Sequence, residues 1–510
     1  MSVHDDRSAS IHHDGPAGRS MAGMNVVMFI TDQDRALQHF PPHWAEENLH
    51  GLTRLQRHGV TFNNAFTNSC MCSPARATLM TGFFPAQHGV KYTLELDMPK
   101  EEGYPQVEMP LDLANLASVM HAAGYDVVYK GKWHLCKPFP PGSDWVPSDV
   151  GKYGFARWNP ADAGANQDIS EEGGGTIDND GRFMNDDGDM ETGNEGALAY
   201  LDSVAARQQP FFMVVSLVNP HDVLFYPKTY IEAGYDESWL NGDLHLPATV
   251  DEDLSTKPTA QKQFRDLFAL TGPLVTPERQ RNYLNFYGNL MKVSDQYLVD
   301  VLEALDRNGL RENTVVIRTA DHGEMGMAHG GMRQKNFNFY EESLRVPMVY
   351  SNPRLYPHAH SSDVLVSHVD FLPTLASLFE APEHARAAWQ GVDYSEAVLH
   401  PAAATQSQPY VVFTFDDWQA GQASPPYVPQ PSHIVSVREA RWKLAEYFDP
   451  DGTEPSQWEM YDLACDPLER ENLCAPGYVR TAEQEFEFLR LQRELATIQQ
   501  TRLAPFPNGS

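Results

Sequence analysis

Cysteine is scarce: the 510-residue chain has five, at 70, 72, 136, 465 and 474. An odd and sparse set excludes a disulfide framework, and the last three lie at spacings that build no metal knuckle. Cations are also short, with 38 Lys and Arg against 69 Asp and Glu and a net charge of −31. Such a field disfavours wrapping nucleic acid or lying on an anionic membrane. The apolar run Met24–Ile30 is too short to cross a bilayer, and residues 1–23 are polar, without the apolar stretch of a secretory signal. Residues 1–23 are expected to be a flexible extension of a cytoplasmic protein. What the chain does contain is 42% hydrophobic residues and nine tryptophans, ample for a large globular core.

Five continuous apolar runs alternate with helical patterns: Asn25–Ile30, Tyr125–Tyr129, Phe211–Val218, Thr314–Thr319 and Val346–Tyr350. Continuous apolarity predicts strands buried on both faces, hence an α/β fold with a large, mainly parallel sheet flanked by helices. Leu113–Ala123, Glu195–Arg207 and Pro277–Asn308 predict helices. In the last, Tyr287, Leu290, Met291, Leu298, Val301, Leu302 and Leu305 share one face, which is ordinary core packing. Residues 160–192 are acidic and Gly-rich without the ligand spacing of an EF-hand, and are expected to be a solvated loop. After residue 400 the runs 410–415, 432–437, 442–447 and 459–461 predict antiparallel strands, followed by a helix from Ala482 to about Arg502. The expected organisation is a catalytic α/β domain over 24–400 and a smaller α+β subdomain over 401–510.

In open α/β sheets ligands bind beyond the carboxyl ends of the strands. There the sequence places Asp32-Gln33-Asp34, Lys132-Trp-His134, Asn219-Pro-His221 and Asp321-His322. Each alone is explained by caps and surface polarity. Together they separate by charge. Asp32, Gln33, Asp321 and His322 offer a metal three oxygens and one nitrogen, while Arg76, Lys132, His134, His221 and Lys335 offer an anion its counter-charges. Between the first two clusters lies Asn68-Ser-Cys-Met-Cys72-Ser-Pro-Ala-Arg76, where Pro74 after Ser73 predicts a helix start with Ser73 as its cap and Cys72 just outside. Read from local structure alone, Cys72 is either a buried structural thiol or a reactive group at a cationic helix end.

Cys72-Ser-Pro-Ala-Arg76 resembles the Cys-x-Pro-x-Arg signature of the type I sulfatases of the alkaline phosphatase superfamily. The other clusters follow in that family's order, with Tyr340-Glu-Glu-Ser-Leu-Arg-Val-Pro347 and Met460-Tyr-Asp-Leu463, over roughly residues 24–475. The resemblance implies that Cys72 is oxidised to formylglycine by a transient generating enzyme, and that its hydrate, beside one divalent ion, cleaves a small anionic ester of the aryl sulfate class. It further implies that Asp32, Gln33, Cys72, Asp321 and His322 hold the metal. Arg76 fixes formylglycine, Lys132 neutralises the ester, His134 is the base for elimination, and His221 and Lys335 serve the leaving oxygen. Ca²⁺ is expected first, with Mn²⁺ or Zn²⁺ favoured by the imidazole of His322. Many sulfatases carry two aspartates and Asp-Asn where this chain has Asp32-Gln33 and Asp321-His322. That set is similar to the phosphonate monoester hydrolases, so the alternative activity is hydrolysis of phosphonate monoesters or phosphodiesters on the same scaffold. A non-catalytic descendant should have lost Cys72, Arg76, Asp321 or Lys335, and all are present. Cys70, Asp34 and His329 are read as structural. The oligomeric state has no signature here, and a homo-oligomer stays open.

Overall fold

The continuous apolar runs become the centre of a seven-stranded sheet in a computed structural model that describes residues 20–96, 104–164, 173–174, 178–186, 194–403, 406–422 and 424–506. In chain order the strands are β1 (Asn25–Asp32), β2 (Gly59–Phe62), β3 (Ala65–Phe66), β4 (Asp126–Gly131), β5 (Phe211–Pro220), β6 (Thr314–Ala320), β7 (Met348–Ser351), β8 (His360–Ser362) and β9 (Val366–Ser367). The sheet runs β4-β5-β1-β6-β7-β2-β8, and β3 pairs with β9 separately. Strands β4, β5, β1 and β6 are mutually parallel, with Val26 opposite both Phe212 and Val315. Strand β7 alone reverses direction against its neighbours β6 and β2.

Both faces of β1 are covered, which explains its unbroken apolarity: Val26, Met28 and Ile30 enter one core while Val27 and Phe29 enter the other. The second core is roofed by the Pro277–Arg307 helix, begun by Thr276, whose hydroxyl accepts the Arg279 N–H, and by Pro277 in its first turn. The face expected from its periodicity, Tyr287 to Leu305, is buried.

The C-terminal texture resolves into an antiparallel meander of β10 (Tyr410–Phe415), β11 (His433–Glu439), β12 (Trp442–Phe448) and β13 (Gln457–Asp462), with the Ala482–Gln500 helix across one side. Leu491, Leu495 and Ile498 seal that side against Val412, Val435 and Leu444. The other side packs Val411, Phe413, Ile434 and Tyr447 onto Phe66, Cys70 and Met71, so this sheet buttresses the segment that leads to Cys72.

Two local expectations are corrected. The helix after Met71 begins at Cys72 itself and runs to Thr81, with Met71 at the cap position. The Ser73 hydroxyl instead accepts the Leu94 N–H, a long-range contact that local sequence does not announce. Within 160–192, Asn179–Asn185 form a helix rather than solvated loop. Its Asp180 is buried and accepts the N–H groups of Val218 and Asn219, closing the end of β5. The parts of that segment at 165–172, 175–177 and 187–192 lie outside the described residues, as does most of the 1–23 extension. All five cysteines are unpaired. No helix among the described residues is long and apolar enough to cross a membrane.

Candidate active site

Strand ends converge on the first turn of the Cys72–Thr81 helix. Asp32 and Gln33 arrive from β1, Lys132 and His134 from β4, His221 from β5, and Asp321 and His322 from β6. The β4 end depends on Gly131, whose φ is +109° and whose missing Cβ would lie 1.9 Å from the Ser216 carbonyl. That carbonyl accepts the Lys132 N–H at 2.8 Å, which seats the β4 end, with Lys132 and His134, beside β5.

Cys72 is 3% exposed, with its Sγ 3.3 Å from His322 Nε2 and 3.6 Å from Asp32 Oδ1. Burial, reinforced by Asp32, pushes the thiol up to about 12, so an unmodified Cys72 is a neutral thiol at physiological pH and a poor nucleophile. One turn on, Arg76 spends its guanidinium entirely on the framework. Nε donates to Asp321 Oδ2 at 3.0 Å, Nη2 to Asp32 Oδ2 at 3.1 Å, and Nη1 to Ser216 and the Lys132 carbonyl. Lys132 Nζ sits 2.6 Å from Asp32 Oδ2. Burial opposes ionisation of Asp32, but the positive charges of Lys132 and Arg76 outweigh it and hold this carboxyl well below the usual range.

Hydrogen bonding fixes two imidazole tautomers. A carbonyl only accepts, so the 3.1 Å contact from His322 Nδ1 to Gly323 O puts the proton on Nδ1 and leaves Nε2 bare toward Cys72, Asp32 and Asp321. By the same reasoning His134 carries its proton on Nε2, 2.8 Å from Leu94 O, while its buried Nδ1 has no partner among the described residues. His134 has φ +57° and is pinned by Asp162, which accepts the N–H groups of Trp133 and His134 at 2.7 Å each. His221 Nδ1 is likewise buried and unpartnered among the described residues. Burial drives His134, His221 and His322 well below their ordinary value, so all are neutral bases at pH 7.

Asp32, Cys72, Asp321 and His322 place one ligand atom each within 4.8 Å of one another, which is a fit for a single cation. Asp32 Oδ1 and a bare His322 Nε2 face this position, together with Asp321 Oδ1, which also accepts the N–H groups of Gln33 and His322 at 3.1 and 2.8 Å. Gln33, with φ +65°, stands beside them. Its Oε1 accepts from Lys335 Nζ at 2.6 Å and its Nε2 donates to Glu324 at 2.5 Å. Every candidate site residue of the sequence is therefore in one cluster, with Arg76 turned to the framework and away from open space.

Above Cys72 opens a cleft of about 430 Å³, reached by His134, His221 and Lys335 and walled on one side by Phe225, Phe264, Leu267 and Phe268. Sequence reasoning did not identify Glu324 and Asp162. Glu324 binds Gln33, Tyr283 and the N–H groups of Gly326 and Gln334, and its signal was its place directly after Asp321-His-Gly323. Asp162 had no signal, standing in a stretch that reads as loop.

A sequence profile of the Sulfatase family matches residues 25–381. This chain belongs to the sulfatase family. A second profile, the C-terminal region of N-sulphoglucosamine sulphohydrolase, matches residues 329–499 of this sulfatase. Among curated relatives, the Delta 4,5-hexuronate-2-O-sulfatase of Bacteroides thetaiotaomicron is 27% identical over 81% of this chain and 77% of its own length. Arylsulfatase K of Xenopus laevis is 24% identical over 91% and 81%. Among solved structures, a 2-O GAG sulfatase superposes with a TM-score of 0.67 at 21% identity, over 94% of this chain and 92% of that one. The phosphonate monoester hydrolase of Agrobacterium radiobacter does so with a TM-score of 0.63 at 20% identity, over 94% and 96%. These two show the shared fold. Family membership and the curated relatives make this sulfatase a sulfuric ester hydrolase.

Proposed function

We propose that this enzyme hydrolyses sulfate monoesters of aryl alcohols, with residue 72 acting as formylglycine after oxidation by a formylglycine-generating enzyme. The observation that carries the reading is the convergence of Cys72, Asp32, Asp321 and His322 at the floor of a cleft into which His134, His221 and Lys335 reach. In oxidised, hydrated form residue 72 supplies two geminal hydroxyls, one to attack sulfur and one to give up a proton as sulfate leaves, and the divalent ion supplies positive charge beside them.

The rest is done by the chain. Asp32, Asp321, His322 and Gln33 Oε1 hold the ion, with Ca²⁺ favoured by the oxygens and Mn²⁺ or Zn²⁺ by the imidazole. Arg76, locked to both aspartates, keeps their oxygens turned inward and sets the helix start that carries residue 72. Lys132 balances the ester's negative charge. His134, with a bare Nδ1, takes the proton at elimination. His221 and Lys335 stabilise the departing oxygen, and the Phe and Leu wall fits an aromatic ring better than a polyhydroxylated one.

Gln33 and His322 support a second reading, phosphonate monoester hydrolysis on the same scaffold, because both esters are singly charged while the metal set departs from two aspartates and Asp-Asn. Paired kcat/KM measurements on an aryl sulfate and an aryl phosphonate monoester decide. The sulfate is expected to lead, and a phosphonate preference of orders of magnitude reverses the assignment. Mass spectrometry of the peptide spanning residue 72 is expected to show the aldehyde; fully active enzyme with an intact thiol would falsify the nucleophile.

A further inference from the structure

The group proposed as base for elimination is held from a distance. His134 Nε2 donates to the Leu94 carbonyl at 2.8 Å, 40 residues away in sequence. Leu94 belongs to a short strap, residues 93–95, that lies in no helix or strand. The strap is tied at three points. Leu94 N–H donates to Ser73 Oγ at 3.0 Å, beside residue 72. Gln106 accepts the Glu95 N–H at 2.8 Å and donates to the Thr93 carbonyl at 2.9 Å. Asp417 accepts both donors of Thr93 on Oδ2, the N–H at 2.8 Å and the hydroxyl at 2.6 Å, while its Oδ1 accepts the Tyr104 hydroxyl at 2.7 Å.

Asp417 stands two residues beyond β10 of the C-terminal sheet and is completely buried. Burying a carboxyl is costly unless donors meet it, and three do so here. A strap without secondary structure has no ladder to orient its carbonyls, so the direction of Leu94 C=O is set by what binds its neighbours. That direction matters because a carbonyl only accepts. While it faces Nε2 of His134 the imidazole proton stays there and Nδ1 is bare. Without it the proton is shared between the two nitrogens, and the Nδ1–H form lacks the bare nitrogen assigned as base.

We infer that Asp417 is a positioning residue for His134: by anchoring Thr93 it aims the Leu94 carbonyl, and so keeps Nδ1 free to take the proton as sulfate leaves. The role deepens the proposed mechanism and rests on the reading of His134 as the elimination base. It gives the C-terminal sheet a part in turnover through the chain Asp417, Thr93, Leu94, His134, with no contact to substrate.

Two readouts separate this role from plain structural support. The first needs no turnover. In the intact, histidine-labelled enzyme with Ca²⁺ bound, the His134 Nε2–H resonance is assigned by its absence in His134→Ala. It is expected to exchange with solvent about tenfold faster or more in Asp417→Ala than in the parent. The second uses nitrophenyl sulfate. Here kcat/KM covers the steps up to release of the alcohol, whereas a slowed elimination lowers kcat alone. Asp417→Ala is expected to lower kcat roughly tenfold or more while kcat/KM stays within about threefold, and a rapid quench with radiolabelled ester should find sulfate retained on the protein. Asp417→Asn, whose amide oxygen still faces Thr93 and whose NH₂ meets the Tyr104 oxygen, is expected to restore most of both readouts. Should Asp417→Ala fail to fold, Thr93→Val, which removes the 2.6 Å bond, is expected to give the same signs at smaller size. The inference is overturned if exchange and kcat are unchanged in the variant that folds, or if kcat/KM falls in step with kcat. His134→Ala should also retain sulfate. If it does not, the reading of His134 as base fails and the inference falls with it; if it does while the Asp417 variant retains none, the inference alone is overturned.

Discussion

Two buried charge clusters of this sulfatase invite comparison. Around residue 72, Asp32, Arg76, Lys132 and Asp321 pair closely, yet among the described residues His134 Nδ1 and His221 Nδ1 lack partners and Lys335 meets only amide oxygens. Where the Tyr340–Pro347 segment meets β11 and β12, charges of similar density are paired with one another, Glu342 Oε2 being left over among the described residues. Arg438 and Lys443 hold Glu341 at 3.0 and 3.2 Å, Lys443 holds Glu469 at 2.6 Å, Lys257 holds Glu252 at 3.0 Å, and His329 reaches Glu252 at 2.7 Å. His329 also stacks on Tyr340 at 3.6 Å between ring centroids. Although His329, Glu342 and Glu469 are grouped closely enough for a metal, Lys443 already neutralises that position. Burial and charge density do not distinguish a site from a brace; what distinguishes them is whether the leftover capacity to bond faces an open cleft, as that of His134, His221 and Lys335 does.

Substitution should separate the two clusters. The largest effect is expected from Cys72→Ala: a kcat loss of about 10⁴-fold or more with the melting temperature nearly unchanged. A melting temperature that collapses instead would make residue 72 a brace. Glu341→Ala is expected to do the opposite, removing about 3–5 kcal/mol of stability by stranding Arg438, while kcat/KM per folded molecule holds. Denaturant titration beside active-site-normalised kinetics checks both halves. Lys335→Ala should cost roughly 10²–10³-fold for phenyl sulfate and distinctly less for nitrophenyl sulfate, as expected of a group that serves the leaving oxygen; equal losses on the two esters would move it to another role.

The smallest effect concerns pH. Burial lowers the affinity of His329 for its proton, but Glu342 and Glu252 outweigh it and raise the group to about 9. Since the folded value lies above the unfolded one of about 6.5, its stabilisation is complete below pH 6.5 and is lost as pH rises through 9, up to about 3 kcal/mol. Urea titrations at pH 6.5 and 9.5 should show that fall in the native protein, and His329→Gln should flatten it.

The sheet and the strand-end residues were legible because both rest on strong, short-range signals: unbroken apolarity and polar residues placed where strands stop. Gln33 and His322 were found that way. Partners that act through the backbone were not legible. Asp180 looks like one more acid in a Gly-rich stretch, and its burial follows from two N–H groups at Val218 and Asn219 that need an acceptor. Asp162 does the same for Trp133 and His134, and Ser73 for Leu94. In each case the demand arises elsewhere in the chain, so local composition carries no trace of it.

The segment before Cys72 is anchored late. Asn68 donates its side-chain amide to the Val412 carbonyl and accepts the Thr414 N–H on its own carbonyl, the first of these contacts spanning 344 residues of sequence. At roughly 5–20 residues per second, β10 leaves the ribosome about 20–70 s after the Cys-x-Pro-x-Arg stretch. For that interval residues 68–76 have no C-terminal strand to dock on, whereas in the finished fold Cys72 is 3% exposed. If residue 72 is oxidised as proposed, the maturation enzyme would work against a clock set by translation, and slowing or speeding synthesis of residues 76–412 should change the fraction of molecules oxidised at position 72 without any change in sequence.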